Sequence, residues 1–588
     1  MNKLMRSLVF SHPDVLSRAN DDRPMPRKSD PPSPASDDTE FAGTRGRARN
    51  LRRPSVPGTL HGTIAVQITG TDRDGDPIAR PVDWQGSTPA PQILMAPEPP
   101  GQPALAPGQR VLARLKPIGG GRYEGRTVRR LGDAPARVLG VYRPGPGGGR
   151  IVPTDRRAKA EWLVPPGEHA DAEAGEIVLA APLPHAGYGL RPARIVERLG
   201  RMGDASAVSL IVIATHDIPQ LFSDAALREA ERARAVTKTR RTDLRDVPLV
   251  TIDGEDARDF DDAVFAERDG DGFRLLVAIA DVAHYVRPGS ALDHDAQLRG
   301  NSCYFPDRVV PMLPEPLSNG WCSLRPGEDR GCLFAEMRID REGRTLSHRF
   351  GRGLMRSAAR LTYEQVQLAH DAGDTLGLPL PALYDAYRAL LGARERRGTL
   401  DLDLPERRVV LGEDGRVLTI APRPRLASHR LIEEFMVLAN VCAATELERL
   451  HQPCVYRVHA PPSDEKLETL RDFLRPFGIA LPAGDRVRPG DLDRVLKRVA
   501  GTEAAPLVNE VVLRSQSQAA YSPDNIGHFG LALPRYAHFT SPIRRYADLL
   551  VHRALVGDLG PDAAAGFPAM AEHISGTERR ATLAERDA

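Results

Sequence analysis

The stretch that most limits how this chain can fold is TIDGEDARDFDDAVF, residues 251–265. Asp253, Glu255, Asp256, Asp259, Asp261 and Asp262 fall within ten positions, between the apolar runs VPLVTI and AVF, and the strongly apolar FRLLVAIADVAHYV follows. A charge run is ordinarily a solvated loop. Here the flanking strands carry it into a core, where carboxylates repel one another and lose hydration. Bound cations remove both penalties, and magnesium, a hard ion that prefers oxygen ligands, suits the residue types. An EF-hand calcium loop starting at Asp253 fails, because Arg258 stands where that loop needs glycine and Val264 where it needs glutamate. On an extended strand Asp259 and Asp261 face one way and Asp262 the other. The segment therefore has to bend, and Gly254 permits an unusual turn. Asp253, Asp259, Asp261 and Asp262 could then share two metal ions roughly 3.5–4 Å apart, the arrangement that serves in-line attack on a phosphodiester.

The chain has 588 residues, too many for one core, and its periodicity changes along its length. Residues 1–54 are rich in Pro, Ser, Asp and Arg, end in RGRARNLRRP, and read as a disordered basic arm. From 55 to 218 short β-runs alternate with Gly/Pro turns: GTIAVQI, QRVLARL, ARVLGVY, EIVLAAPL, PARIVERLG. This predicts small barrels, and the matching basic strands EGRTVRRLG and RPARIVERLG suggest two in tandem, at 55–131 and 132–218, of the OB type that carries single-stranded nucleic acid. A linker with a capped helix, SDAALREAERARAV, covers 219–246. From 247 to 588 strands alternate with helices, expected at 363–371, 383–398, 428–450, 463–476, 506–519 and 542–556, in one large α/β domain. No apolar run approaches the ~18 residues of a membrane span. Net charge is +2, which says little about partners. Cysteines 303, 322, 332, 442 and 454 form no close pair and read as reduced thiols of a cytoplasmic protein, with neither a disulfide framework nor a zinc site.

Within TSPIRRYADLLVHR, Pro542 after Ser541 predicts the first turn of a helix, with Arg544 and Arg545 in that turn. Cations there oppose the helix dipole unless an anion such as phosphate sits on them. His459, His528, His538 and His552 read as structural. Tyr304 reads as core, and Glu433 and Glu434 as helix-surface charge.

Several long motifs, in one order, resemble the ribonuclease II/R family, whose catalytic unit is the RNB domain. They are DGEDARDFDDAV at 253–264, VAIADVAHYV at 277–286, RGNSCYFPDRVVPMLPEPLSNGWCSLRPGEDR at 299–330, HRLIEEFMVLAN at 429–440, YRVHAPPS at 456–463 and HFGLALPRYAHFTSPIRRYADLLVHR at 528–553. The upstream barrels resemble the paired cold-shock-like domains of the ribonuclease R branch. The resemblance implies a processive 3′→5′ exoribonuclease that hydrolyses single-stranded RNA with a free 3′ end, structured RNA being a further candidate, to nucleoside 5′-monophosphates. It implies magnesium, two ions that manganese could replace, on Asp253, Asp259, Asp261 and Asp262, with Asp261 essential to chemistry but not to binding. It implies that Arg544 holds the scissile phosphate, that Tyr304 packs on the terminal base and that Glu433 lies near the terminal nucleotide. Arg545 is left to a salt bridge. The expected protein is a monomer that RNA enters through a basic funnel of barrels and catalytic surface, with a helicase or degradosome partner left open.

Two departures from the family stand out. A second aromatic clamp maps near Leu402, in GTLDLDLPE, where no aromatic stands, and the sequence stops at ERRATLAERDA, short of the family's C-terminal OB-fold domain. The rival readings are an RNA-binding protein on an inactive RNB scaffold and a DNA-directed or endonucleolytic phosphodiesterase. The intact acidic positions and Arg544 argue against the scaffold.

Overall fold

The computed structural model describes residues 63–588, apart from the short stretches 72–75, 83–89, 99–103, 106–108, 120–121, 132–136, 155–159, 185–188, 202–206, 403–405, 413–416, 483–486 and 561–562. The expected arm at 1–54 lies outside the described residues. The chain divides into two compact units at Arg198/Leu199.

The N-terminal unit holds two all-β assemblies. In the first, β1 (Thr63–Thr71), β2 (Pro77–Pro81), β3 (Ile93–Met95), β4 (Arg110–Gly119) and β5 (Arg122–Leu131) close into a barrel in the order β1-β2-β3-β5-β4. Alternate residues point inward, so Val66, Ile68, Ala79, Ile93, Met95, Val111 and Ala113 make its core. Gly125 is required by close approach: a Cβ there would lie 2.7 Å from Met95 Sδ. The second assembly contains β6 (Val138–Gly145), β7 (Gly148–Pro153), β8 (Trp162–Val164), β9 (Glu176–Pro182) and β10 (Ala193–Arg201), ordered β10-β9-β6-β7-β8. A bridge from Leu163 to Pro192 draws its two edges together. Trp162 fills this core beneath the buried Arg191, whose guanidinium lies 4.0 Å from the ring centroid.

The second unit begins with α1 (Ala207–Thr215) and α2 (Asp224–Glu231), the latter capped by Ser223 Oγ accepting from Ala226 N. Ala226 and Ala230 are buried in the large core, so α2 is more than a connector. A seven-stranded sheet follows, built from β11 (Thr242–Leu244), β12 (Val250–Asp253), β13 (Asp262–Asp269) and β14 (Gly272–Ala280), then, after the helices α3 (Val282–Tyr285) and α4 (Ala291–Arg299) and the ribbon β15 (Cys303–Tyr304) and β16 (Val309–Val310), from β17 (Asp329–Ile339), β18 (Thr345–Arg356) and β19 (Ala359–Thr362). Its order is β11-β18-β17-β14-β13-β12-β19, with parallel pairs only at its two edges. Both faces are covered, which explains the unbroken apolar run of β14. Leu275, Val277 and Ile279 face one core, with α5 (Tyr363–Ala372), α6 (Leu380–Arg397) and α7 (Ala427–Arg449). Leu276, Ala278 and Ala280 face the other, with α11 (Tyr546–Val556) and α12 (Ala563–Asp587). Each fully buried leucine contributes ~1.5–3 kcal/mol. The hairpin β20 (Glu406–Leu411) and β21 (Val417–Arg423) precedes α7, and β22 (Tyr456–Val458) pairs with β23 (Ala520–Ser522). Between these last strands, α8 (Asp464–Leu474), α9 (Pro489–Val499) and α10 (Ala505–Ser515) pack around Leu470, Leu474, Leu492, Leu496 and Val512.

Small all-β barrels followed by a large α/β domain is the architecture that the sequence pattern indicates. Three details differ. The strand expected through residue 286 ends at Ala280, because the buried Asp281 turns aside to meet Arg241 at 2.7 Å and Arg352 at 3.3 Å. Helices α1, α3, α4, α9 and α12 are not among those expected from the sequence, and α1 falls within the 132–218 span expected to be a barrel. The helix expected from 542 starts at Tyr546, with Arg545 at its N-cap in extended geometry.

Candidate active site

The acidic segment is positioned by a bend between two neighbouring strands. β12 ends at Asp253, the chain leaves the sheet, and it re-enters as β13 at Asp262. Ser323 pins the bend, its Oγ donating to Arg258 O at 2.7 Å and accepting from Phe260 N at 3.1 Å. Arg360 closes the other side, donating to Gly254 O and Glu255 O, both at 2.6 Å. These contacts leave Asp261 only 5% exposed, and Asp262 Oδ2 shut from solvent with no hydrogen-bond partner among the described residues.

Asp261 Oδ1 accepts a 2.9 Å hydrogen bond from Ile543 N, and Arg544 Nε stands 3.9 Å from Oδ2. Burial pushes the Asp261 carboxyl well above the ordinary range. Arg544 and the Ile543 N–H oppose that rise, and the charges of Asp259 and Asp262 add to it. Burial, with the charge of Asp253 added and that of Arg544 opposing, raises Asp262 to about 7. The four expected carboxylates thus feel one another's charge in a single region.

Arg544 does not lie in a helical turn. It sits in the turn before α11, side chain 26% exposed, while Arg545 is buried and forks onto Asp548 with both hydrogen bonds at 2.7 Å. Arg545 is therefore the structural partner that its salt-bridge reading anticipates, and the dipole argument for Arg544 does not apply. The Tyr304 hydroxyl lies 3.4 Å from Asp259 Oδ2, which takes Tyr304 out of the core and to the rim of the acidic bend. The segment 300–302 is fastened to Arg544, since Ser302 N donates to Arg544 O at 3.0 Å and Tyr546 N to Gly300 O at 2.9 Å.

Glu433 and Glu434 are not surface charges. Arg394, 4% exposed, reaches across from α6 to Glu433 Oε1 at 3.0 Å and Glu434 Oε1 at 2.6 Å, and to Asp401 at 3.3 Å. Asp401 also receives Arg425 and Arg430, at 3.0 and 3.1 Å. Glu433 and Glu434 are thus held in one cluster with Arg394, Asp401 and Arg425. Leu402 is half-buried against the α8–α10 core. Sequence reasoning missed Ser323, Arg360, Arg394 and the Ile543 amide. Only Arg394 carried a signal: it follows Leu383, Tyr387 and Leu390 on the buried face of α6, at helical spacing.

The four histidines are buried and hydrogen-bonded. His459 joins Ser517 O and Gly530 N, His528 accepts from Leu531 N, His538 meets the Tyr521 hydroxyl, and His552 meets Phe539 O. Burial lowers their pKa values, that of His459 to about 4. They are neutral framework groups.

The bend fits a hard divalent cation. It offers only oxygen donors, and the orphaned Asp262 Oδ2 is an acceptor without a donor. Among the described residues no three acidic, histidine or cysteine side chains converge closely enough to hold an ion unaided. A cation here would complete its shell with water and substrate oxygen, as magnesium habitually does.

The RNB domain family model matches residues 241–559, and a cold shock domain model matches 151–223. The chain belongs to the RNB-domain ribonuclease family. Within that family it is ribonuclease R-like. It is 41% identical to Escherichia coli K12 ribonuclease R over 518 residues, covering 82% of this chain and 63% of that protein. It is 37% identical to Thermotoga maritima ribonuclease R over 576 residues, covering 93% and 78%. Its fold matches Mycoplasma genitalium RNase R in complex with ribose methylated single-stranded RNA, with a TM-score of 0.77, 25% identity and coverage of 89% and 85%. The chain thus spans just under two thirds of the length of the Escherichia coli relative.

Proposed function

We propose that the chain is a processive 3′→5′ exoribonuclease that degrades single-stranded RNA from a free 3′ end to nucleoside 5′-monophosphates, with magnesium at the acidic bend. The observation that carries this is the grouping of the buried Asp261, 3.9 Å from Arg544, with the partnerless Asp262 Oδ2 beside it and Asp259 in contact with the Tyr304 hydroxyl. Mycoplasma genitalium RNase R, bound to single-stranded RNA in one structure and to double-stranded RNA in another, supports RNA as the substrate class.

Asp253, Asp259, Asp261 and Asp262 would hold the metal. Bound magnesium supplies the charge that lets these carboxylates ionise together and makes the attacking water more acidic. Everything else is done by the chain. Arg544, tethered through its backbone to Ser302, presents a guanidinium to the scissile phosphate, where it stabilises charge as the phosphorus becomes five-coordinate. The Tyr304 ring stacks on the terminal base, a contact worth ~1–3 kcal/mol that ignores base identity. The buried floor of the bend excludes bulk water and strengthens these electrostatic contacts. The Arg394 cluster holds Glu433 rigid near the terminal nucleotide. The five cysteines are buried and in no disulfide, which supports a reducing, cytoplasmic setting, and no helix among the described residues is long and apolar enough to cross a membrane.

The test is incubation with RNA carrying a free 3′ end, RNA blocked at its 3′ end, and DNA, each with and without EDTA. Monophosphates released only from free 3′ RNA ends, and only without EDTA, are expected. Internal cleavage, DNA cleavage or no product at all would overturn the reading.

A further inference from the structure

The chain leaves the sheet after Asp253 and re-enters it at Asp262, so the ladder that satisfies a strand's backbone stops in between. Phe260 and Asp261 are nevertheless buried, and buried backbone N–H and C=O groups need partners. Two residues of a distant segment supply them. Ser323 Oγ donates to Arg258 O at 2.7 Å and accepts from Phe260 N at 3.1 Å, and Leu324 N donates to Phe260 O at 2.9 Å. Ser323 and Leu324 are both fully buried. Ser323 is fixed in turn, because its carbonyl accepts from Arg325 N at 2.9 Å and from Arg330 Nε at 3.0 Å.

The peptide plane before Asp259 carries Arg258 O, and the plane after it carries Phe260 N. One hydroxyl oxygen therefore holds both planes. The rotations of a residue's two flanking planes are its only soft backbone freedoms, and together they set the direction of its Cβ. Ser323 thus fixes where the Asp259 carboxylate leaves the backbone. The Leu324 bond holds the next plane, which leads into Asp261. All three bonds fall on backbone atoms of the bend, so they aim the carboxylates without using up carboxylate oxygens.

We infer that Ser323 is a positioning residue for the metal site: its hydroxyl sets the direction of Asp259, so that this carboxylate can share a divalent cation with its neighbours. The inference rests on the reading of Asp253, Asp259, Asp261 and Asp262 as the metal-holding group. Ser323, fully buried behind the bend, acts through Asp259 and has no part in the chemical step. Without its hydroxyl, Arg258 O and Phe260 N lose this partner and the two planes are free to turn. Ion binding must then supply the ordering of Asp259, which weakens it. Groups that orient a metal ligand from behind are typically worth about ten- to a hundredfold in metal affinity.

The experiment uses the full chain and its variants S323A, S323C, D259N and L383A. Manganous ion alone, without RNA, is titrated into each, and the free ion is read by electron paramagnetic resonance. Affinity for a 3′-hydroxyl oligouridylate in EDTA, the magnesium dependence of kcat and the urea midpoint are measured beside it. D259N should lose most of the manganese binding. S323A should bind manganese about tenfold more weakly and need about tenfold more magnesium for half-maximal rate. Its kcat should approach the parent value once magnesium saturates, and its RNA affinity in EDTA should stay within about twofold of the parent. S323C, which keeps a weak donor and acceptor, should fall between S323A and the parent, and it carries the test should S323A fail to fold. L383A opens a cavity in the core beneath α6, so it should lower the urea midpoint and leave manganese affinity unchanged. If S323A binds manganese like the parent while D259N does not, or if L383A loses as much manganese affinity as S323A, the inference is wrong while the metal reading stands. If the parent binds no manganese, or D259N binds it as the parent does, the metal reading itself is wrong and the inference falls with it.

Discussion

Arg544 Nε lies 3.9 Å from Asp261 Oδ2, too far for a hydrogen bond and close enough for each charge to steady the other. Its Nη2 donates to Ser541 Oγ at 3.2 Å, which holds the guanidinium beside the acidic bend without a hydrogen bond to Asp261. Arg544→Ala should lower kcat by about a hundred- to a thousandfold, the cost of removing one preorganised donor from a developing oxyanion. Arg544→Lys should recover only part of this, since an ammonium cannot match the planar fork. Single-turnover rates at saturating RNA measure the effect, and a wild-type rate for Arg544→Ala would remove this residue from the site.

Arg394 should matter first for stability. It is buried between Glu433, Glu434 and Asp401, and its loss strands Glu434, itself only 5% exposed, without its counter-charge. Arg394→Met should destabilise the catalytic domain by ~3–5 kcal/mol. Urea unfolding followed by circular dichroism would register this as a lower midpoint at unchanged slope.

Acid should unfold the protein well before its carboxylates are all protonated. His459 is buried and neutral, with a pKa lowered to about 4 by burial, aided by Arg457 and Lys466. In the unfolded chain it titrates near ~6.5. Between those values the unfolded state binds a proton that the native state does not, so stability is complete above ~6.5 and is lost as pH falls toward 4. This side chain alone accounts for ~3 kcal/mol, and His528, His538 and His552 act in the same direction. Urea midpoints at pH 7.5 and 5 should differ accordingly, and His459→Asn should reduce the difference.

Much of this was legible in the residues because different periodicities leave different marks. Period-two runs with Gly/Pro turns announced the barrels, and the unbroken LLVAIA of β14 announced a sheet covered on both faces. The acidic bend was legible for a negative reason: carboxylates between apolar strands repel one another and lose hydration, so such a run is rarely kept without a use. The start of α11 was not. SPIRR has the composition of a helix N-terminus, but Asp548 claims both Ser541 N and Arg545, and that pulls the helix start to Tyr546. Glu433 and Glu434 looked like surface charge because their partner, Arg394, is 39 and 40 residues earlier, on another helix. Ser323 and Arg360 were invisible for the same reason, since they reach the bend from distant strands and loops.

Under the proposed function, the carboxylates at residues 253–262 are tolerated beneath the surface because they serve a divalent ion in RNA hydrolysis. Asp261→Asn tests it most directly, because the amide keeps the shape and the Ile543 hydrogen bond but withdraws the charge. Turnover of a 3′-hydroxyl oligoribonucleotide in magnesium should vanish, while its affinity in EDTA stays at the parent value. Parent-like degradation by Asp261→Asn would contradict the account.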